Sequence, residues 1–455
     1  MNATRLFRLT RLLNPLLWPF LLLGTGMVWL VSKKSRPHFR ERFGLPSKDR
    51  GDTANLQKTT ASRVLFHLAS LGEAHAAIPL IDDLSQTRSL YLTTTTLSGR
   101  SALKRRFPDI PVSLAPIDLP DLWEPFLKSR SISGILLFET EIWPVMLLTA
   151  YFLKIPVAVV NGRISPRGAR RMRWFGFVFR PLLKPMNPIL VQSSEDRDRY
   201  CLMGASKGQV VVTGNLKWDL PDHPGDQELS RHLEEWLTEG EKELLSSSGK
   251  PFRVLFSSVH PAETRKLLEA LRTQPGYSRP LHLIVAPRHL DRLQEFQESL
   301  AQFQAIRNRS KNRENGIEKP APVLLSLLDT YGELRMLPSL CDLAVIGGTF
   351  EPVGGHSPIE AARAGIPVIM GPYIDHIRDL VLTLEKGEGV LRLETADTLP
   401  VWIERFMSSE SERLSLGQRA KLVSEGQMEA RQKTHSGLLA FLEKTGKGSE
   451  RRSRP

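Results

Sequence analysis

The sequence has little cysteine: only Cys201 and Cys341 occur in 455 residues. Two cysteines cannot form a disulfide framework or a cysteine-rich zinc site, and such scarcity is typical of a reducing compartment. Glycine and proline occur 32 times each without a fixed period, which excludes a collagen-like or low-complexity chain. The chain is instead 41% hydrophobic and 24% charged. These values describe a folded globular protein, and the length favours two domains over one.

Acidic residues are scarce at both ends of the chain, and the net charge of +13 arises mainly there. The first 50 residues contain ten Lys or Arg against two Asp or Glu, and residues 443–455 contain five against two. The globular part is therefore nearly neutral. Basic ends on a neutral body suit an anionic membrane surface, so we expect a membrane partner. No nucleic-acid-binding module is recognisable, and we expect no nucleic-acid partner.

An apolar segment without charge covers residues 15–31. As a straight helix it would span about 25 Å, slightly less than the hydrocarbon core of a bilayer, which is about 30 Å thick. More basic residues follow it than precede it, which places the rest of the chain in the cytoplasm. We therefore predict an N-terminal anchor at the cytoplasmic face of a membrane. A segment lying in the interface, favoured by Pro19 and two glycines, and a core helix of a soluble domain are the alternatives.

Short apolar runs alternate with amphipathic stretches along the rest of the chain, which predicts α/β units with parallel sheets covered on both faces. Helix patterns cover residues 74–84, 121–129 and 143–153. The predicted strands are 64–68, 90–94, 112–115, 134–138, 157–160, 189–192 and 210–213, then 252–256, 281–286, 323–325, 343–346 and 368–370. A polar stretch over 221–250 separates the two series, so we predict two doubly wound units that face one another across a cleft.

The predicted domain organisation has four parts. Residues 1–45 form the membrane anchor and its basic flank, 46–225 a first Rossmann-like domain, 226–435 a second, and 436–455 a basic tail. In open parallel sheets, ligands bind beyond the carboxyl ends of the strands. Polar residues that directly follow predicted strands are therefore the candidates for chemistry.

In the first unit, the candidates are carboxylates. Glu73 follows the first strand on a glycine turn and could act as a base; equally, it could only stabilise the first turn of the next helix. In the sequence E-T-E, Glu139 and Glu141 follow another strand and point to opposite faces if the extended geometry continues. A carboxylate in that position needs a cationic partner, for which Arg163 and Lys217 are candidates, and a structural ion pair is the alternative.

In the second unit, the candidates suit a phosphate. Arg288 follows a buried strand and carries the fork that binds a phosphate or carboxylate, although it could also be a surface residue of the next helix. The loop GGTFEPVGGHSPIE at 347–360 has two Gly-Gly pairs, whose backbone amides could approach a phosphate. Glu360 could then bind ribose hydroxyls. A tight structural turn is the alternative for this loop.

A basic stretch at 163–184 contains seven Lys or Arg with four interleaved aromatic residues and no acid. It indicates a surface for anionic lipid or, alternatively, the solvated face of a helix. No HExxH motif, cysteine pair or G-x-S-x-G elbow occurs, so we expect no metal, no cofactor and no Ser-His-Asp hydrolysis.

Between about residues 5 and 430 the chain contains, in order, the motifs HLASLGEAHAAIPLI, TTTTLSG, ETEIWP, VNGRISPRGAR, GNLKWD, PRHLDR, DTYGEL and GGTFEPVGGHSPIEAARAGIPVIMGP. This series closely resembles the Kdo (3-deoxy-D-manno-octulosonic acid) transferases of lipopolysaccharide synthesis. The resemblance implies a GT-B glycosyltransferase at the cytoplasmic face of the inner membrane. It further implies transfer of Kdo from CMP-Kdo to a lipid A precursor (lipid IVA), with inversion and without a metal.

The same resemblance assigns roles to individual residues. Glu73 would be the general base, and Glu139 and Lys217 would stabilise the transition state. The residues implied to hold the CMP moiety are Pro287, Arg288, Tyr331, Gly332, Glu333, Ser357, Pro358, Ile359 and Glu360. The chain departs from the family pattern at three positions, since the family usually has valine at Leu71, methionine at Tyr331 and asparagine at Ser357.

Two rival functions remain open from the sequence. One is a GT-B transferase or epimerase that uses a UDP-sugar. The other is a membrane-tethered sugar- or lipid-binding protein that has lost catalysis.

Overall fold

The computed structural model describes residues 5, 7, 8, 10, 11, 38–46, 62–165, 168–170, 176–219, 225–244, 250–274, 276–300, 306–310 and 323–451. The chain divides into two compact units, Met1–Pro221 with Gln427–Pro455, and Asp222–Gly426. The predicted anchor at 15–31 lies outside the described residues. Among the helices that are described, none has both the length and the apolar character needed to cross a membrane.

The first unit contains a seven-stranded parallel sheet in the order β3-β2-β1-β4-β5-β6-β7. Its strands are β1 Arg63–Leu68, β2 Leu90–Thr94, β3 Val112–Leu114, β4 Ile132–Phe138, β5 Val157–Gly162, β6 Met186–Val191 and β7 Val210–Val212. Its helices are α1 Phe39–Arg42, α2 Leu71–Ser85, α3 Leu97–Arg106, α4 Pro120–Ser129, α5 Pro144–Phe152, α6 Gly176–Leu183 and α7 Ser194–Met203. The central strands read as continuous apolar runs because helices cover both faces of the sheet.

The second unit repeats this architecture with the strand order β10-β11-β9-β8-β12-β13-β14, again parallel. Its strands are β8 Phe252–Val259, β9 Leu281–Pro287, β10 Ile306–Asn308, β11 Val323–Leu327, β12 Leu343–Ile346, β13 Val368–Met370 and β14 Leu391–Arg392. Its helices are α8 Asp226–Leu244, α9 Pro261–Arg272, α10 Leu293–Leu300, α11 Ile359–Ala364, α12 Arg378–Lys386, α13 Leu399–Ser408 and α14 Glu410–Glu425.

The last helix, α15 Ala430–Arg451, corrects the predicted boundaries at the C-terminus. Residues 427–455 belong to the first unit, and the segment predicted as a basic tail is helical as far as Arg451. Leu438, Phe441 and Leu442 are buried in the core of the first unit. Gly134 of β4 allows this packing, because a Cβ there would lie 2.4 Å from the Thr445 side chain. The apolar residues at helical spacing therefore outweigh the basic composition of this segment.

Each predicted strand is present, but β10 and β14 were not predicted. They form the two edges of the second sheet and are only three and two residues long. Such short edge strands carry too few residues for a period-2 pattern to be recognised.

The strand order also locates the switch point of each sheet. The chain builds outward from β1 through β2 and β3, then returns to the other side of β1 with β4. In the second unit it builds outward from β8 and returns beside it with β12. Ligands of open parallel sheets bind beyond the carboxyl ends of the two strands at such a point. The loops after β1 and β4, and after β8 and β12, are therefore where ligand-binding residues are expected.

Candidate active site

Glu73 lies in the first turn of α2, directly after β1. Ser70 caps the helix by accepting the Glu73 amide (N to Oγ, 3.3 Å). The Glu73 carboxylate in turn accepts the Ala69 amide at 2.8 Å and the Ser70 hydroxyl at 3.0 Å. This reciprocal arrangement fixes the side chain at the mouth of the switch point. Glu73 thus takes part in the helix cap, and this is compatible with its also acting as a base.

The pKa of Glu73 is raised to about 7. Burial is the largest cause, followed by the charge of Glu139 and, further down, that of Glu141. The hydrogen bonds from Ala69 and Ser70 oppose the rise and are outweighed. A carboxyl group that titrates near neutral pH is well suited to accept a proton during a reaction.

Glu139 is ion-paired to Lys217, with 2.7 Å between Oε1 and Nζ. The backbone leaves extended geometry at Glu139, where φ is +56°, so the expectation that Glu139 and Glu141 point to opposite faces of a continuing strand does not hold. Lys217 lies in a short 3-10 turn capped by the Asn215 side chain. Lys217, one of the two cationic partners considered for this carboxylate, is in contact with it.

Glu141 contacts two rings. Its Oε2 accepts the Trp143 indole N–H at 2.7 Å and lies 3.7 Å from His67 Nε2. His67 is fully buried in β1, and its Nδ1 lies 3.0 Å from the Thr93 hydroxyl oxygen. Sequence reasoning missed His67, although a titratable residue inside the apolar run VLFHL is a recognisable signal, because a buried polar group needs a partner.

Buried Asn161 directly follows the predicted strand at 157–160, which makes it one of the strand-end candidates. Its φ is +54°, and its side-chain oxygen accepts the Leu216 amide at 2.9 Å. This hydrogen bond joins the end of β5 to the turn that carries Lys217. Asn161 therefore supports the position of the lysine without itself belonging to the charged cluster.

In the second unit, the glycine-rich loop after β12 is organised by a buried carboxylate. Glu263, in the first turn of α9, accepts the amides of Gly348 at 2.7 Å, Thr349 at 3.0 Å and Phe350 at 2.9 Å. Gly347 packs so closely that a Cβ would lie 2.3 Å from the Ser258 carbonyl oxygen. The amides of the first Gly-Gly pair were expected to face a phosphate. Those at 348–350 instead bind Glu263, because the loop folds back onto the start of α9.

Several histidines lie at this loop, among them His260, His289, His356 and His376. His260 and His356 face each other with 2.9 Å between their Nε2 atoms, and the His289 ring lies 5.8 Å from that of His260. Burial, then the charge of Arg288 and the neighbouring histidines, lower the pKa of His356 to about 3. Burial and the nearby charges also lower the pKa of His260. The rings of His260 and His356 are therefore neutral at pH 7, and Arg288 provides positive charge beside them.

The other predicted CMP-binding residues lie around the same edge of the sheet. Pro287 ends β9, exposed Arg288 follows it, and Pro358 and Ile359 are buried at the start of α11. Glu360 accepts the Ser357 hydroxyl at 3.0 Å. Burial raises the pKa of Glu360, and the hydrogen bond from Ser357 and the charges of Arg363 and Arg288 oppose the rise.

The segment Tyr331–Glu333 follows β11, further along this edge. Tyr331 is 81% exposed, and Gly332 has a φ of +83°. The Glu333 carboxylate is bound by the Arg309 guanidinium, with 3.0 Å between Nη2 and Oε1, and by the Thr330 hydroxyl. Glu333 thus already has a cationic partner within the protein.

The predicted lipid surface at 163–184 is only partly described. Arg170 and Arg180 are exposed, whereas Phe179 packs against the core of the first unit. Residues 166, 167 and 171–175, with the side chains of 176–178, lie outside the description. Among the described residues, no three His, Cys, Asp or Glu side chains come together as metal ligands.

Comparisons with known proteins agree with the motifs. The family model described as "3-Deoxy-D-manno-octulosonic-acid transferase (kdotransferase)" matches residues 37–220. The 3-deoxy-D-manno-octulosonic acid transferase of Bordetella pertussis is 29% identical, covering 94% of this chain and 97% of its own. That of Haemophilus influenzae is 28% identical, covering 88% and 90%.

Solved structures show the fold alone. A glycosyltransferase from Rickettsia africae has a TM-score of 0.54 at 12% identity, with 85% of this chain and 99% of that chain covered. The UDP-GlcNAc 2-epimerase of Neisseria meningitidis has a TM-score of 0.53 at 14% identity, with 83% and 100% covered.

The two parallel α/β units resemble those of GT-B glycosyltransferases. The sequence relatives indicate that the chain is a glycosyltransferase. More narrowly, these relatives are Kdo transferases, and the resemblance carried by the motifs is confirmed.

Proposed function

We propose that this protein transfers Kdo from CMP-Kdo to a hydroxyl group of a lipid A precursor (lipid IVA), with inversion at the anomeric carbon and without a bound metal. The relatives named above support the sugar that is transferred. The observation that carries the proposal is the position of Glu73, a carboxyl group with a pKa of about 7 beside the Glu139–Lys217 pair at the switch point of the first sheet.

In the proposed reaction, Glu73 accepts the proton of the acceptor hydroxyl while its oxygen attacks the anomeric carbon of Kdo. The bond between that carbon and the phosphate oxygen of CMP breaks, and its electron pair leaves with CMP. Attack from the face opposite the leaving group inverts the configuration. Glu139 and Lys217 provide fixed charges for the transition state, and such preorganised groups contribute about 3 to 4 kcal/mol each when well placed.

The second unit would hold the nucleotide. Arg288 is exposed at the end of β9 and is the cation available to the phosphate of CMP. Pro287, Tyr331, Gly332, Glu333 and the segment 357–360 are proposed to hold the rest of the CMP moiety. Because the amides at 348–350 bind Glu263, we assign phosphate recognition to Arg288 and its neighbouring histidines rather than to these amides.

We further propose that the protein acts at the cytoplasmic face of the inner membrane. The basic N-terminal flank and the basic stretch at 163–184 support this location, since the acceptor is a phosphorylated lipid in an anionic surface.

Mass spectrometry of the lipid acceptor after incubation with enzyme and CMP-Kdo tests the reaction directly. Glu73→Gln keeps the shape of the side chain but cannot accept a proton. We expect it to bind CMP-Kdo normally and to lose transfer by about 100-fold or more. Glu195→Gln, which changes an exposed carboxylate in α7 of the same unit, is the matched control and should transfer at the normal rate. Near-normal turnover of Glu73→Gln would remove the assigned base.

The nucleotide is tested separately by thermal denaturation. CMP should raise the melting temperature and UDP should not. The reverse result would favour a UDP-sugar enzyme.

A further inference from the structure

Glu141 is the third carboxylate at the switch point and has no role in the reaction proposed above. It lies two residues after Glu139, in the turn between β4 and α5. The neighbouring strand β1 ends at Leu68 and leads directly into the Ala69 amide that binds Glu73. Since β1 and β4 are paired in parallel, with His67 opposite Leu137, the turns that carry Glu73 and Glu141 leave the sheet side by side.

The carboxylate of Glu141 is held from two sides. The Trp143 indole donates to it at 2.7 Å, a short hydrogen bond to a charged acceptor. On the other side, His67 Nε2 lies 3.7 Å away, which is longer than a hydrogen bond but within the range of a strong electrostatic contact. The rings of His67 and Trp143 also pack edge to face, with 5.3 Å between their centroids. The two rings therefore form a rigid seat for one carboxylate.

His67 is itself fixed. It is completely buried in the middle of the sheet, and its Nδ1 is paired with the Thr93 hydroxyl on β2. If Thr93 donates this hydrogen bond, the ring hydrogen is on Nε2 and points toward Glu141. Burial of a histidine carries a desolvation penalty that an apolar residue in the same space would not have. The histidine at this position therefore indicates that a neighbouring group interacts with its ring nitrogens.

We propose that Glu141, seated by His67 and Trp143, is a positioning residue that acts on the base Glu73 through its fixed negative charge. This inference rests on the proposed role of Glu73. Glu139 and Glu141 are the carboxylates whose charges act on Glu73; Lys217 is ion-paired with Glu139, and His67 faces Glu141. Glu141 is held by the two rings and not by the Lys217 ion pair. Its charge keeps the proton affinity of Glu73 high enough for Glu73 to take a proton from a hydroxyl.

The pKa values agree with this arrangement. Burial would raise the pKa of Glu141, but the contacts with His67 and Trp143 outweigh it and lower the pKa, so Glu141 stays ionised. The negative charge of Glu141 is in turn one of the causes that raise the pKa of Glu73 to about 7.

The test is the pH profile of kcat/KM in the full-length enzyme. Glu141→Gln keeps an oxygen for the Trp143 indole and removes only the charge. Its acidic limb should move to lower pH by about 0.5 unit or more, and kcat at high pH should fall because Glu73 becomes a weaker base. Glu195→Gln removes one negative charge from the surface of the same unit, and its profile should match that of the unaltered enzyme.

A second variant tests the same role of Glu141 in case Glu141→Gln does not fold. Trp143→Phe keeps an aromatic ring against His67 but loses the N–H that holds Glu141. It should lower kcat while leaving KM for CMP-Kdo unchanged. Circular dichroism and melting curves confirm that each variant is folded.

The experiments distinguish failure of the positioning role of Glu141 from failure of the proposed role of Glu73 as the base. If Glu73→Gln is inactive but Glu141→Gln and Trp143→Phe keep the normal pH profile and kcat, the positioning role is wrong and the base remains. If Glu73→Gln is fully active, the base is wrong, and this inference fails with it.

Discussion

Replacing Glu73 by glutamine should increase the stability of the first unit while reducing transfer by about 100-fold or more. The Glu73 carboxyl has an ordinary pKa of about 4.5 in the unfolded chain and about 7 in the folded protein. A group whose pKa is raised by folding favours the folded state only while it is protonated. The stability associated with Glu73 is therefore complete below pH 4.5 and is lost as the pH rises through about 7.

The size of this effect follows from the shift. A difference of about 2.5 pKa units corresponds to about 3 kcal/mol, and solvent screening of a partly exposed side chain reduces this to about 1 to 3 kcal/mol. Glutamine has no charge to bury and can still accept the Ala69 amide. We therefore expect Glu73→Gln to be more stable than the unaltered protein by this amount above pH 8, and by clearly less at pH 5.

Urea unfolding at pH 5 and pH 8.5 measures the difference, and hydrogen exchange in peptides from β1 reports on the first unit specifically. Glu241→Gln is a control for which the change in the free energy of unfolding should have the opposite sign. Burial of Glu241 is outweighed by its contacts with His282 and Arg253, which lower its pKa to about 2, so this substitution should destabilise the protein at pH 8.5. A Glu73→Gln protein that is no more stable than the original at pH 8.5, or equally stabilised at pH 5, would refute the reasoning.

Two further predictions concern the Lys217 ion pair and the C-terminal helix. Lys217→Met leaves the charge of Glu139 without its cation, so the acidic limb of the kcat/KM profile should move to higher pH. This shift is opposite to the one expected for Glu141→Gln. An acidic limb at the same pH as in the unaltered enzyme would mean that the ion pair does not act on Glu73. Phe441→Ala removes a buried ring from the core under α15 and should lower the free energy of unfolding by about 3 to 5 kcal/mol, as measured by urea unfolding. A loss below about 1 kcal/mol would contradict the packing of α15 on the first sheet.

The strands were predictable because parallel strands buried on both faces appear as continuous apolar runs, and those runs are frequent and short in this chain. The same logic selected Glu139 and Arg288, which directly follow such runs, and Glu73, which follows one after a short turn, as candidate residues. It did not give the direction of the Glu139 side chain. That depends on a positive φ at the strand end, which a non-glycine residue adopts only when the surrounding contacts require it.

The residues that support the site were harder to recognise. Glu263 acts on a loop more than 80 residues further along the chain and has no local signal. Asn161 directly follows a predicted strand, but the turn that it supports lies after β7, which its position alone does not reveal. Amides in the glycine-rich loop were expected to be open to a ligand, because glycine content alone does not reveal which amides are already bonded. The return of α15 to the first sheet depends on apolar residues whose partner strands lie about 300 residues earlier in the chain.

The path of the chain through α15 has a consequence for biosynthesis. The first sheet is translated early, yet the helix that covers part of it is translated only after the whole of the second unit. Until then, apolar side chains such as Leu190, which lies against Gly437 in the finished protein, lack their cover. The first unit therefore completes its core late, while the segment 222–426, inserted within it, can complete its own core first.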